Sequence, residues 1–93
     1  LGREPNHNTN MYFNTWFWNL RTFLVLRMEI KKRFGKAVRQ KRRALGISQE
    51  ELALRINADQ AYVSRIEAGE MNVTLETLEQ IAKALEVDVA ELV

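Results

Sequence analysis

Between Lys31 and Arg43 the chain carries eight basic residues and no acid: Lys31, Lys32, Arg33, Lys36, Arg39, Lys41, Arg42 and Arg43. From Glu67 to Val93 the balance reverses, with Lys83 alone against Glu67, Glu70, Glu76, Glu79, Glu86, Asp88 and Glu91. Ammonium and guanidinium groups gathered at one end of a small domain suit contact with a polyanion, although such runs also serve simply as solvated helix faces. Covalent and metal chemistry finds little to work with. The chain has no cysteine, which excludes a disulfide framework, a thiolate zinc site and a cysteine nucleophile. Its one histidine, His7, stands in a polar stretch without partners around it and reads as a solvated terminal residue. No catalytic constellation, metal site, cofactor site or small-molecule site is expected.

The elements that would position the basic residues follow from periodicity and caps. Ninety-three residues with a net charge of +2 make one small domain. Phe34, Ala37, Val38, Ala44 and Leu45 mark one stripe of a helix from about Lys31 to Ala44, and Gly46 stands where a C-terminal glycine belongs. "SQEE" from Ser48 offers a capping box with Glu51 and opens a short helix from Gln49 to about Ile56. Asn57 suits a sharp left-handed turn. Asp59 caps a third helix, Gln60 to Ala68, ended by Gly69, and Thr74 caps a fourth through Leu75, Leu78, Ile81, Ala82 and Leu85. "DVAE" from Asp88 to Glu91 reads as a second capping box that opens a last short helix. The pattern predicts an all-α domain of five helices over residues 31–93, behind an extension over residues 1–30.

The most informative unit is "SQEELALRINADQAYVSRIEAGE", residues 48 to 70. Two short helices meet across a tight turn at Asn57. Ala53 is small where they cross, and Leu52, Ile56, Val63 and Ile66 supply the inner face. This is the helix-turn-helix arrangement. From about Phe34 to Leu92, nearly two-thirds of the chain, the sequence resembles the phage-repressor or Cro-like helix-turn-helix domains. "LGISQEELA", "VSRIEAGE" and "TLETLEQIAKALEV" carry the likeness. One departure is Asn57, where the family usually has glycine.

The resemblance implies a repressor-like DNA-binding domain whose second motif helix lies in the major groove. The base-reading positions are then Gln60, Ala61, Ser64 and Arg65. Their chemistry agrees: a glutamine amide pairs with adenine, arginine with guanine, and an alanine methyl touches that of thymine. It further implies backbone contacts from Ser48, Gln49, Tyr62 and Asn72, with Gln49 either on a phosphate or bracing Gln60, and from Arg39 and Arg43, together with Lys36, on the first helix. Arg42 and Glu67 match positions that form a partly buried ion pair in several family members. Family members bind near-palindromic operators as homodimers. The apolar residues Val87, Val89, Leu92 and Val93 are available for that seam, or for closing the core. The expected partner is double-stranded operator DNA, in the cytoplasm at the nucleoid. With no further domain following, and with "IEAGEMNVTL" after the recognition helix, the form is similar to the controller proteins of restriction–modification systems. Antitoxin-type regulators, small phage or plasmid repressors and a protein-interaction module on the same fold are the alternatives. An enzyme or single-strand RNA role lacks both the catalytic groups and the stacking aromatics.

The extension holds six of the eight aromatics, in Tyr12, Phe13, Trp16, Phe17, Trp18 and Phe23. Its start, residues 1–10, is polar and reads as loosely held. The apolar run from Tyr12 to Leu26, interrupted by Asn14, Asn19 and Arg21, falls short of the roughly 20 residues of a membrane span. As a helix it puts Phe13, Trp16, Phe17, Leu20, Phe23 and Leu24 on one face, to pack on the domain, on a partner subunit or along a membrane surface. The alternative is a leader ahead of a natural start at Met28, in a chain that is a fragment or a processed product.

Overall fold

The computed structural model describes the backbone from residue 3 to residue 93 and the side chains from residue 18 onward. The readings of His7 and of the face formed by Phe13, Trp16 and Phe17 therefore lie outside the described side chains. Four α-helices follow in order: α1 (Arg3–Leu45), α2 (Gln49–Arg55), α3 (Gln60–Glu67) and α4 (Leu75–Leu85). A 3-10 turn, Val89–Glu91, completes the domain, and no strand occurs among the described residues.

Two expectations are corrected. The fifth helix is only this 3-10 turn. Bonds from the Glu91 N–H to the Asp88 carbonyl and from the Leu92 N–H to the Val89 carbonyl, both 2.9 Å, close it at the i→i+3 spacing and carry Leu92 into the core. "SQEE" forms half a capping box. The Ser48 hydroxyl accepts from the Glu51 N–H at 3.0 Å, while the Glu51 carboxylate lies 3.7 Å from Arg55 one turn on. Position 30/31 falls inside α1, which has no break there: Leu26, Arg27, Met28, Glu29, Lys31 and Lys32 are all good helix formers.

The core lies between α1 and the three shorter helices. Phe34 and Val38 of α1 meet Leu52, Ala53 and Ile56 of α2, Val63 and Ile66 of α3, Ile81, Ala82 and Leu85 of α4, and Leu92. Turn chemistry brings α3 and α4 back against α1, with α2 packed on both of them. Asn57 adopts φ 56°, and the Ala58 N–H reaches the Ala53 carbonyl at 2.8 Å, so α2 and α3 cross where the side chain is a single methyl. Asp59 caps α3 through the Tyr62 N–H at 2.9 Å, and Thr74 caps α4 through the Thr77 N–H at 3.2 Å.

Gly35 packs directly on the end of α3. A β-carbon there would meet the carbonyl oxygens of Ile66 and Glu67, the latter at 2.8 Å. Nothing larger than hydrogen fits without separating α1 from α3. Toward the N-terminus contact continues through Phe34 in the core to Lys32, which lies against Gly69, and every side chain from Trp18 to Ile30 is exposed. Among the described residues no helix is long and apolar enough to cross a membrane.

Candidate nucleic-acid interface

Helix α3 is short and amphipathic, so its burial dictates its display. Val63 and Ile66 are sealed in the core, one turn apart less one residue. Gln60, Ala61, Ser64 and Arg65 are consequently exposed along the opposite side. The four residues expected to read bases thus share one outward surface. Tyr62, half-buried against the core, lies beside Ala61 and Arg65 and lines a shallow groove with Ala58 and Asp59. Polar hydrogen-bonding groups and a methyl, on a helix with its cap and core contacts in place, form a surface of the chemical kind that can pair with base edges.

Behind this surface a chain of hydrogen bonds runs inward. The Arg42 guanidinium donates from Nε to Glu67 Oε2 at 2.6 Å and from Nη2 to Glu67 Oε1 at 3.0 Å. Its Nη1 donates to the Ile47 carbonyl at 3.0 Å, so all three nitrogens are engaged and Arg42 has no role at the surface. Gln49 Nε2 donates to Glu67 Oε1 at 3.1 Å, and Gln60 Nε2 donates to Gln49 Oε1 at 3.3 Å. Arg42 and Glu67 are each only 9% exposed, which makes this a buried ion pair with a hydrogen-bonded environment. Burial pushes the Glu67 carboxyl up, but hydrogen bonds from Arg42 and Gln49 and the charges of Arg42 and Arg39 outweigh it and hold the group below the usual carboxylate range. The bond to Glu67 likewise raises the Arg42 guanidinium, against the opposing effect of burial.

Around α3 the other expected contacts occupy exposed or partly exposed positions. Ser48 is exposed at the start of α2, and Asn72 is exposed in the loop before α4. Arg39, Arg43 and Lys36 are exposed on α1, with Arg39 close enough to Glu67 to act on its charge. Their spacing adds one residue that the reading of the sequence missed. Lys32, Lys36, Arg39 and Arg43 recur every three to four residues and form one basic stripe. The signal was present in the spacing but was hidden by the other cations of the run. Two basic residues are committed elsewhere. Lys41 pairs with Glu91 at 3.1 Å, and Arg55 donates to the Ala84 carbonyl at 2.9 Å while lying 3.7 Å from Glu86. Gly35 was also missed. A lone glycine inside a helical pattern was its signal.

The residues considered for a dimer seam divide. Leu92 is 1% exposed and takes the second of its two expected roles, closing the core of its own chain. Val87 and Val89 are half-buried against the core, and Val93 is exposed.

Comparison with known proteins agrees with this geometry. The helix-turn-helix family model matches residues 38–92. The control protein C.MunI of Mycoplasma sp is 40% identical over 65 residues, covering 69% of this chain and 88% of that protein. The crystal structure of the restriction–modification controller protein C.AhdI from Aeromonas hydrophila superimposes with a TM-score of 0.68 at 36% identity, covering 71% of this chain and 96% of that one. The C.Esp1396I controller, solved as a tetramer in complex with its natural 35 base-pair operator, matches at 36% identity and TM-score 0.61, over 67% of this chain and 83% of that one. The chain therefore belongs to the helix-turn-helix family, the family that includes the restriction–modification controller proteins.

Proposed function

We propose that this DNA-binding transcriptional regulator acts as a restriction–modification controller, reading a near-palindromic operator as a homodimer with α3 of each copy in the major groove. The observation that carries the reading is the joint exposure of Gln60, Ala61, Ser64 and Arg65 on a helix whose other side is locked into the core. Arg65 is suited to the two acceptors of a guanine and Gln60 to adenine, while the Ala61 methyl suits thymine. Ser48, Gln49, Tyr62 and Asn72, with the stripe through Arg39 and Arg43, supply the contacts to phosphate and sugar that set register without reading sequence. Two α3 helices must then lie about 34 Å apart, one turn of the duplex. Val87, Val89 and Val93 are the surface from which the domains meet. A tetramer of the kind that C.Esp1396I forms on its operator would be two such pairs side by side. A protein of this kind works in the cytoplasm, on nucleoid DNA.

The exposed stretch of α1 supports a second, compatible reading. It does not pack on its own domain, since Trp18 to Ile30 are all exposed. Leu20, Phe23 and Leu24, 42%, 56% and 49% exposed on one face of the helix, make an apolar surface that a partner subunit would cover. We read residues 1–30 as an extension that reinforces the dimer.

Binding selection from a randomised duplex pool, followed by band shifts at two salt concentrations, tests the function. A two-fold-related pair of half-sites one helical turn apart, with affinity falling steeply as salt rises, is the expected result. Binding without sequence preference, or no binding to duplex, would turn the assignment toward a protein-interaction module.

A further inference from the structure

We infer that the groove where α1 leaves the domain receives the α1 of a second copy: two chains pair antiparallel, and Phe23 of each seats in the groove of the other. This rests on the reading of residues 1–30 as an extension that reinforces the dimer, and names the surface that the extension covers.

The groove measures about 380 Å³. Ile30 and Phe34 of α1 form one wall, and Met71, Val73, Leu78 and Val93 form the rest. Phe34 is buried and Met71, Val73 and Leu78 are half-buried, while Ile30 and Val93 are exposed. Apolar walls open to water gain when an apolar side chain fills the space between them. The same chain carries a matching face. The side of α1 that turns Phe34 into the core carries Ile30 one turn earlier, and Leu24, Phe23 and Leu20 three to four turns earlier. Arg21 leaves this face clear, because its guanidinium lies over the Trp18 ring on another side of the helix, 5.2 Å from the ring centre. Arg27 interrupts the face, but its stem is long enough to carry the charge to the edge of a helix pair.

Groove and face cannot meet within one molecule. α1 runs unbroken through both, so Phe23 stands seven residues, about 10 Å along the axis, beyond Ile30. A two-fold axis brings them together, since each copy then presents to the other the surface that the other lacks. The direction of pairing follows. Parallel chains would set groove beside groove and Phe23 beside Phe23, leaving both grooves unfilled. Antiparallel chains set Phe23 of one copy opposite Ile30 of the other, at the mouth of its groove. Val93 belongs both to this groove and to the surface proposed above for the meeting of the domains, so the groove opens on the side of the partner.

The chain has no cysteine, so introduced pairs report contacts in the full-length protein without background. Phe23→Cys combined with Ile30→Cys should give a disulfide-linked dimer under mild oxidation. The two positions are too far apart on one helix to bridge within a chain, and either substitution alone should cross-link weakly. No cross-link from the pair, or an equally strong one from Phe23→Cys alone, as parallel chains would give, overturns the inference. Sedimentation supplies the second arm. Phe23→Ser and Met71→Ser should each raise the dissociation constant of the dimer about tenfold or more. Both remove one and the same contact, so the double variant should fall well short of the product of the two effects. Circular dichroism checks that Met71→Ser is folded, and Val93→Asp, at the exposed end of the chain, replaces it if it is not. A dimer weakened by Phe23→Ser but indifferent to the groove variants would mean that the extension pairs elsewhere: the inference falls and the reading of the extension stands. A dimer unchanged by Phe23→Ser would sink that reading as well.

Discussion

Two lengths of the same helix behave oppositely. From Phe34 onward α1 is buried on one side, with Val38 at 0% exposure. From Trp18 to Ile30 it is at least as rich in apolar side chains, yet every one of them is exposed. Hydrophobic content does not separate the two lengths. Return elements do. Beyond Gly35, Asn57, Asp59, Gly69 and Thr74 turn and cap the chain so that α3 and α4 come back against α1 and α2 packs on both. Before it, no described element folds back. Burial energy is realised only when the chain supplies a second surface, here or in another subunit.

The difference is sharpest where a substitution removes a partner already in place. Arg42→Ala or Glu67→Ala leaves a buried charge without its counterpart, so chemical denaturation should show a loss of about 3–5 kcal/mol, the largest effect expected. Gly35→Ala comes next. It gains helix propensity but drives a methyl into the Ile66 and Glu67 carbonyls, with a net loss of about 1–3 kcal/mol in the same experiment. An unchanged midpoint would mean that α1 and α3 separate freely at their crossing.

The ion pair also predicts a pH dependence. The Glu67 carboxyl is depressed in the folded chain. Its contribution is therefore fully present above the ordinary carboxylate range and is lost as pH falls through that lowered value. Thermal melts from neutral to acid pH should show Glu67→Gln converging with wild type at the acid end. Parallel curves would assign the acid sensitivity to other carboxylates. The smallest effect is expected from the other length of α1. Leu24→Ser should change the stability of the domain by no more than about 0.5 kcal/mol, as for a surface residue. If it weakens the dimer in light scattering, the exposed stretch is covered by a second subunit. Dimers that survive both Leu24→Ser and removal of residues 1–27 would make that stretch dispensable.

Much of the domain was legible in its sequence because local chemistry and global fold agree there. Ser48, Asp59 and Thr74 are cap residues, and each caps its helix in the structure. The Arg42–Glu67 pair came from family likeness rather than from spacing, since residues 25 positions apart share no local signal. What escaped was three-dimensional. Whether "DVAE" makes an α-turn or a 3-10 turn depends on how tightly Leu92 is drawn into the core. Glu86 ends α4 with φ 60°, a left-handed conformation that its residue type does not advertise. Gly35 is required by the backbone of another helix. The link from Gln49 to Glu67 depends on how α1, α2 and α3 converge.

The central claim, that the outward side of α3 is the DNA interface, is tested most directly by titrating the selected operator with wild type and Arg65→Ala at fixed salt. Arg65 is exposed, so the substitution should leave the melting temperature where it is. The account predicts a loss of about 1–3 kcal/mol in binding, with relaxed preference at one base pair of each half-site. Undiminished, equally selective binding by Arg65→Ala would contradict it and move the interface off α3.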